Sequence, residues 1–280
     1  MSMPSRAVAQ IVTGIKATDG AGVNLRRIIG SPELNFLDPF LLLDEFKSDN
    51  RDDYIAGFPS HPHRGFETVT YLKRGAFRHR DSKGNEGHLR PGAVQWMTAG
   101  RGIIHSEMPE QEDGEVWGYQ LWVNLPKKYK MMEPRYQDIQ AEAIPVVVEG
   151  GRSIKVIAGK YGDTLGPAEA LIAIHYFDVT LGAGLTFTHL MPPAMNGFIY
   201  CYTGQVIIGL EKLRVSESQL AVLGKGEVVE LWAGENGSGF LFLAGERLDE
   251  PVARGGPFVM NTRGEIKQAY LDYQQGVLDK

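Results

Sequence analysis

Cysteine is almost missing from this sequence of 280 residues, which contains Cys201 alone. A single cysteine excludes an intramolecular disulfide and any cysteine-rich zinc module. Long apolar runs are missing too, because the densest one, Phe36–Phe46, is interrupted by a proline and by acidic residues. A membrane-spanning helix needs roughly 20 mostly apolar residues. The sequence therefore predicts no association with a membrane.

An excess of basic charge is also absent, since 29 lysines and arginines stand against 34 acidic residues and the net charge is −5. Proteins that bind nucleic acid usually carry a strongly basic face, so no direct contact with nucleic acid is predicted. Residues Met1–Thr18 lack the basic segment and apolar core of a secretory signal peptide. Together with the lone cysteine, this predicts a cytoplasmic location.

Glycine, in contrast, is abundant, with 34 residues beside 15 prolines. Both halves of the chain consist of short strand-like runs separated by turn residues, which is typical of antiparallel sandwiches or barrels. The polar segment Pro126–Pro145 separates the halves. We predict an all-β fold with two domains, residues 1–130 and residues 131–280.

A helix is predicted only at the C-terminal end. Thr262 and Glu265 have the spacing of a capping box, and apolar residues follow at helical spacing: Ile266, Ala269, Tyr270, Tyr273 and Val277.

The two halves also show a weak internal repeat. Pro91–Gly100 resembles Lys225–Gly234, and Thr70–Gly75 resembles Ile199–Gly204 in the same order. A repeated order of this kind indicates one β-barrel unit used twice.

Five of the seven histidines fall between residues 61 and 105. His61 and His63 are two residues apart, as are His105 and Glu107, so each pair lies on one face of an extended strand. If the two pairs face each other, three nitrogens and one oxygen surround a point. That donor set is typical of a non-haem transition-metal site with two open positions. It favours iron and is also compatible with nickel, copper, manganese, cobalt or zinc.

The spacing leaves the acidic ligand open. Glu67 has the same strand parity as His61 and His63, so either Glu67 or Glu107 fits as the ligand, with the other orienting an imidazole. The remaining histidines are interpreted as surface, hairpin or core residues: His79, His88, His175 and His189. At the offsets of the repeat, no ligand recurs in the second half, which predicts a metal in the first domain only.

These residues carry a resemblance to a known family. The segments His61–Tyr71, Gln95–Pro109 and Pro257–Thr262 resemble signature sequences of the pirins, and Leu37–Phe46 and Gln120–Leu125 match as well. The resemblance extends from Gly22 to Leu271. It implies two antiparallel cupin barrels in tandem, residues 1–130 with the metal and residues 131–280 without metal ligands, followed by a short helix. It also implies Fe(II) bound by four ligands: His61, His63, His105 and Glu107.

Pirins are similar in fold and ligand set to quercetin 2,3-dioxygenases, which implies a flavonol-like substrate and O2. In that chemistry Glu107 is the catalytic residue, as a ligand or as acceptor of the 3-hydroxyl proton. Phe66, Trp96 and Met97 are then candidates for an apolar pocket. The resemblance also implies an alternative, a non-enzymatic protein whose iron oxidation state controls docking on a transcription factor or metabolic enzyme. A zinc hydrolase is allowed chemically but is not implied by the resemblance.

Overall fold

The structure is a computed structural model, and it describes residues 4–111 and 113–280. Met1–Met3 and Glu112, which belong to the predicted first domain, lie outside the described residues. The first twelve strands are β1 (Val8–Thr13), β2 (Ile15–Asp19), β3 (Val23–Ile29), β4 (Phe40–Ser48), β5 (Phe58–His63), β6 (Phe66–Arg74), β7 (Phe77–Asp81), β8 (Glu86–Leu89), β9 (Val94–Thr98), β10 (Ile103–Pro109), β11 (Val116–Asn124) and β12 (Arg135–Ile139).

The later strands are β13 (Val146–Glu149), β14 (Arg152–Ala158), β15 (Lys160–Tyr161), β16 (Thr164–Leu165), β17 (Ile174–Leu181), β18 (Thr186–Leu190), β19 (Met195–Ile208), β20 (Leu213–Ser216), β21 (Gln219–Leu223), β22 (Val228–Glu246), β23 (Ala253–Gly255) and β24 (Phe258–Met260). One α-helix, α1 (Arg263–Gln274), follows them in the described chain. Short 3-10 turns occupy Arg51–Asp53, Lys127–Tyr129 and Ala141–Ala143.

The all-β class and the short C-terminal helix are confirmed, with two cupin-type domains. The sheets are not closed barrels, because the hydrogen-bonded order of each sheet has two ends. In the part of the chain that the structure describes, no helix combines the length and apolar composition needed to cross a bilayer.

The chain packs into two units that do not follow a single boundary after residue 130. Among the described residues, the first unit contains residues 4–14, 31–38 and 143–247, and the second contains residues 15–30, 39–111, 113–142 and 248–280. The helix α1 therefore belongs with the histidine-rich strands and not with residues 143–247. The physical reason is packing, because α1 contacts β23 and β24 and its Asp272 pairs with Arg64 at 2.6 Å.

The first unit is built on a nine-stranded sheet whose main path runs β1-β21-β19-β22-β17-β14-β13, with β18 and β20 attached to β22 and β19. Its interior is filled with aliphatic and aromatic side chains, among them Phe177, Phe187 and Phe242. Cys201 is buried in this core, and burial raises the pKa of its thiol to about 12.

The second unit contains a seven-stranded sheet, β12-β9-β6-β11-β4-β3-β2, and a four-stranded sheet, β5-β10-β7-β8. All pairings within both sheets are antiparallel. The central strand β10 pairs with β5 on one side and with β7 on the other. Side chains on one face of β10 therefore meet side chains of both neighbours.

The C-terminal helix begins with the predicted capping box. Thr262 Oγ1 accepts from the backbone N–H of Glu265, and the Glu265 carboxylate accepts from the backbone N–H of Thr262. Of the predicted apolar positions, only Ala269 is fully buried on the helix. Tyr270 and Tyr273 are partly exposed, so the helix docks through a narrower stripe than its sequence spacing indicates.

Candidate metal centre

The strand β5 ends at His63 because the chain turns there. Gly65 adopts φ +88°, and a Cβ at this position would lie 2.0 Å from the carbonyl oxygen of Val259. Glycine alone tolerates both the conformation and the close approach. The turn breaks the alternation of side chains between β5 and β6, so Glu67 does not continue the face of His61 and His63.

Three imidazoles meet where β5 and β10 pair. His105 is the register partner of His61, and the ring centroids of His61 and His63 lie 4.4 and 5.0 Å from that of His105. One nitrogen from each ring lies within 4.8 Å of the other two. The structure thus brings together the three predicted histidines in a cluster that can hold a metal ion.

The other ring nitrogens fix the tautomers of His61 and His63. His61 Nδ1 lies 2.7 Å from the carbonyl oxygen of Pro59, and His63 Nδ1 lies 3.3 Å from that of Pro257. A carbonyl oxygen only accepts, so each Nδ1 carries a proton and donates it. In the neutral rings both Nε2 atoms therefore present lone pairs.

These two Nε2 atoms are only 3.0 Å apart. Facing lone pairs repel each other, whereas a cation bound to both removes the repulsion. The spacing matches adjacent corners of an octahedron with metal–nitrogen bonds of about 2.1 Å. The Nε2 atom of His105 is buried and has no hydrogen-bond partner among the residues that the structure describes. All three observations fit a metal ion.

His79 was interpreted from sequence as a surface or hairpin residue; it does lie in the hairpin of β7 and β8, but the surface interpretation is wrong. The residue is 2% exposed, and its ring stacks on that of Tyr136 with a centroid distance of 4.6 Å. Its Nδ1 lies 3.4 Å from His105 Nδ1, and its Nε2 lies 3.2 Å from a carboxylate oxygen of Asp81. If His79 donates to Asp81, its Nδ1 accepts from His105, and the lone pair of His105 is left on Nε2.

Burial keeps His63 and His105 neutral. The pKa values of His63 and His105 are held well below the ordinary value, first by desolvation and then by the neighbouring imidazoles, which disfavour a second positive charge. Neutral imidazole is the form that binds a metal. His63 and His105 are thus available as ligands without first losing a proton.

Glu107 lies on β10 beside the cluster and is held by two polar side chains. Thr70 Oγ1 donates to Glu107 Oε1 at 2.6 Å, and Gln120 Nε2 donates to Oε2 at 2.8 Å. Its carboxylate lines the same cavity as His61 and His63. Its role as fourth ligand stays a prediction.

Glu67 is located elsewhere. Its side chain is fully buried, and one carboxylate oxygen accepts from Thr98 Oγ1 at 2.7 Å. The other oxygen has no hydrogen-bond partner in the described part of the chain. Burial raises its pKa to about 7. Glu67 does not line the cavity, so the structure does not place it as an alternative ligand.

A cavity of about 630 Å³ opens beside the histidines. Its walls combine apolar and charged side chains, including Leu25, Leu42, Asp44, Phe46, Phe58, Trp122 and Arg254. The expected pocket residues Trp96 and Met97 are buried in the protein and do not line it, and Phe66 instead packs against the ring of His63. Cavities of this size and mixed lining are typical of small-molecule sites.

The remaining histidines lie away from the cluster. His88 pairs with Glu110 at 2.9 Å and is half exposed. His175 Nδ1 lies 2.8 Å from His189 Nε2, and both rings pack against Phe177. They form a pair in the core of the first unit and are not isolated.

Strand pairing corrects part of the internal repeat. The strand β9 pairs with β6 in one unit as β21 pairs with β19 in the other, so Pro91–Gly100 does not correspond to Lys225–Gly234. The match of Thr70–Gly75 with Ile199–Gly204 makes β6 the counterpart of β19, and this agrees with the strand pairing.

The same comparison identifies counterparts of the ligands. In the second unit, His105 pairs in register with His61 on β5 and with Asp81 at the end of β7. In the first unit, Leu231 pairs in the same way with Phe187 on β18 and with Ile208 at the end of β19. Leu231 therefore corresponds to His105. Along these strands His63 corresponds to His189. The other counterparts are apolar: Phe187 for His61, Leu231 for His105 and Ala233 for Glu107. The second copy thus retains one histidine, not none.

Sequence reasoning missed the residues that surround the ligands. His79 and Asp81 have the same spacing of two residues as His61 and His63, and this pattern was available as a signal. Thr70, Gln120 and Arg254 carried no comparable local signal, because the chain brings them to the site from distant positions.

Comparison with known proteins gives two family matches. Residues 22–123 match the Pirin family model, and residues 176–279 match that of the Pirin C-terminal cupin domain. The protein of Pseudomonas aeruginosa named "Putative quercetin 2,3-dioxygenase" is 48% identical over 98% of both chains. A pirin-like protein of Caulobacter vibrioides is 46% identical over 98% of this chain and 99% of its own.

A solved structure is similar over nearly the same length. The crystal structure of a quercetin 2,3-dioxygenase from Acinetobacter baumannii superimposes with a TM-score of 0.90 at 34% identity, covering 98% of each chain.

Proposed function

The chain belongs to the pirin family, and from this premise we propose that it is a metal-dependent dioxygenase of the quercetin 2,3-dioxygenase type. The proposed ligands are His61, His63, His105 and Glu107, and the proposed metal is Fe(II). The observation that carries the proposal is the pair of Nε2 atoms 3.0 Å apart at the wall of the 630 Å³ cavity. A purely structural site has no need of such an adjoining cavity, whereas a catalytic site keeps open positions for substrate.

The substrates proposed are a flavonol-like enolic chelator and O2. Bound iron would supply Lewis acidity, which would lower the pKa of a chelating hydroxyl, and the electrons that reduce O2 would come from the substrate as its ring is oxidised and opened. Three neutral imidazoles and one carboxylate leave a ferrous site with one positive charge, which an enolate neutralises. Nickel, copper, manganese, cobalt and zinc share the preference for this donor set.

Glu107 is positioned to move the proton of the substrate. Its carboxylate reaches the cavity while Thr70 and Gln120 donate to its two oxygens. These two donors hold the carboxylate in place beside the cavity, where it is positioned to accept the hydroxyl proton as the substrate enters. It is the proposed catalytic residue, whether or not it also ligates the metal.

The walls of the cavity bind and shield a flat ring. Phe58, Leu25 and Leu42 present apolar surface, and the indole of Trp122 contacts the ring of His63 with a centroid distance of 5.3 Å. An aromatic substrate chelated at the histidines lies against these side chains and displaces water from them. We propose that this activity takes place in the cytoplasm.

Oxygen uptake tests the proposal. The iron-loaded protein is expected to consume O2 with quercetin, with ring-opened product detected by mass spectrometry. Glu107→Gln is expected to lower turnover per bound iron by about a hundredfold to ten-thousandfold, the usual cost of losing a general base. Glu110→Gln is the matched control, because the Glu110 carboxylate pairs with Arg78 and His88 and does not line the cavity.

Absence of turnover by the wild type with each of the metals named above would contradict the enzymatic proposal. The regulatory alternative would then be tested through iron-dependent docking on a protein partner.

A further inference from the structure

A guanidinium group forms part of the cavity wall. Arg254, on β23, is exposed at the cavity rim, and its Cζ lies 4.8 Å from the ring centroid of Trp122. Its Nη1 donates to the carbonyl oxygen of Leu41 at 3.3 Å. The stacking and this bond fix the group while most of its N–H donors stay available.

The nearby carboxylates are already engaged by another arginine. Arg27 donates through Nε and Nη2 to the two oxygens of Asp44, at 3.0 and 2.7 Å, and through Nη2 to Asp19 at 2.7 Å. Within the described residues, no carboxylate lies at ion-pair distance from Arg254. Arg27 thus forms ion pairs with both Asp44 and Asp19, and Arg254 has no carboxylate as a direct partner among the described residues.

The surroundings of Arg254 favour the arrival of a negative charge. Partial loss of hydration and the like charge of Arg27 both lower the pKa of its guanidinium, and together they outweigh the attraction of Asp44 and Asp19, which raises it. A bound anion offsets both effects, because it replaces lost water contacts and attracts the group electrostatically. The guanidinium fork matches the two oxygens of a carboxylate.

We propose that Arg254 is an anion-binding subsite of the cavity and that its ligand is a planar chelator carrying a carboxylate. The inference rests on the proposed metal site, which takes the chelating oxygens, and goes beyond it in naming the far end of the substrate. Trp122 contacts both His63 and Arg254, so one ring lying along this indole reaches both ends. A monoanion suits the site better than a phosphate dianion, since Asp19 and Asp44 are part of the same wall.

Two matched ligands test this subsite. Kojic acid and comenic acid share a hydroxypyranone chelating pair and differ in one substituent, a hydroxymethyl group in the first and a carboxylate in the second. Their affinities for the Ni(II)-loaded protein are measured by calorimetry without oxygen, so that binding is observed and turnover is not. The variant is Arg254→Gln, and the control is Arg90→Gln, an exposed arginine outside the cavity.

Arg254→Gln is expected to weaken comenate binding on the order of tenfold, as for a charge-assisted hydrogen bond, and to leave kojic acid binding unchanged. Arg90→Gln is expected to change neither. Equal effects of Arg254→Gln on the two ligands, or no effect on comenate, would overturn the subsite and leave the metal proposal intact. Failure of the wild type to bind either ligand would overturn both.

Discussion

The imidazole of His79 lies against that of His105, with the two Nδ1 atoms 3.4 Å apart. The pair is completed by Asp81, which lies on the opposite side of His79. A carboxylate that holds the proton of one imidazole thus selects the tautomer of the next, and the lone pair of His105 is directed at the metal position. Orientation of a ligand by residues behind it usually matters nearly as much as the ligand itself.

His79→Phe is expected to lower metal affinity by about tenfold to a hundredfold. The phenyl ring keeps the stack on Tyr136, so the change removes the hydrogen bond and retains most of the packing. Affinity is measured by competition with a chromogenic chelator. His88→Phe is the control, because His88 lies on the neighbouring β8 and is half exposed. Equal affinity of both variants would show that His79 does not orient His105.

His105→Ala is expected to abolish metal binding and to leave the protein folded. Wild-type protein should carry about one metal per chain by elemental analysis, because the counterparts of three ligands in the other unit are apolar. The protein should remain folded because large domains bury enough apolar surface to fold without a metal. Collapse of the far-ultraviolet circular dichroism of the variant would show that the metal is structural, and two metals per wild-type chain would contradict a single site.

Glu67→Gln is expected to flatten the dependence of stability on pH. The pKa of Glu67 is raised to about 7 in the folded protein, so the folded state binds this proton more tightly than the unfolded chain. The proton on Glu67 therefore adds to the free energy of unfolding. This addition is complete below the pKa of glutamate in the unfolded chain, about 4.3, and it is lost as the pH rises through 7. The loss amounts to about 3 kcal/mol. Denaturant unfolding of the metal-free proteins at pH 5 and pH 8 measures it, and parallel behaviour of variant and wild type would contradict the assignment.

Gly65→Ala is expected to destabilise the protein more than Gly84→Ala. Both glycines have nearly the same positive φ, +88° and +85°, but a Cβ at Gly84 meets nothing within 4 Å whereas one at Gly65 collides with Val259. In both variants the left-handed backbone lowers the free energy of unfolding by about 1 to 2 kcal/mol. In Gly65→Ala the collision with Val259 lowers the free energy of unfolding by about 1 to 3 kcal/mol more. Chemical denaturation compares the two, and equal losses would show that β24 moves aside freely.

Local spacing predicted the parts of the site that lie within single strands. The pairs His61–His63 and His105–Glu107 each lie two residues apart, and alternation along a strand places both members on one face. The capping box of Thr262 was predicted for the same reason, since it needs only four consecutive residues.

Features that depend on distant contacts were not predicted. His79 adjoins a polar turn, which suggests exposure, yet β7 lies inside its sheet between β10 and β8. The parity assigned to Glu67 failed because Gly65 interrupts the alternation. Residues 248–280 belong to the second unit because they pack against it, for example through the ion pair of Asp272 with Arg64. No local sequence pattern indicates this long-range contact.

The contact of His63 Nδ1 with the carbonyl oxygen of Pro257 spans 194 residues of sequence. During synthesis on a ribosome, His63 therefore emerges long before the residue that holds its proton in place. Arg254, across the same cavity, is also made late. The nascent chain must expose its histidines with unsettled tautomers, and the geometry described above is completed only when the last segment docks. We expect metal loading to follow synthesis of the segment that contains Pro257, not to guide the folding of the strands made before it.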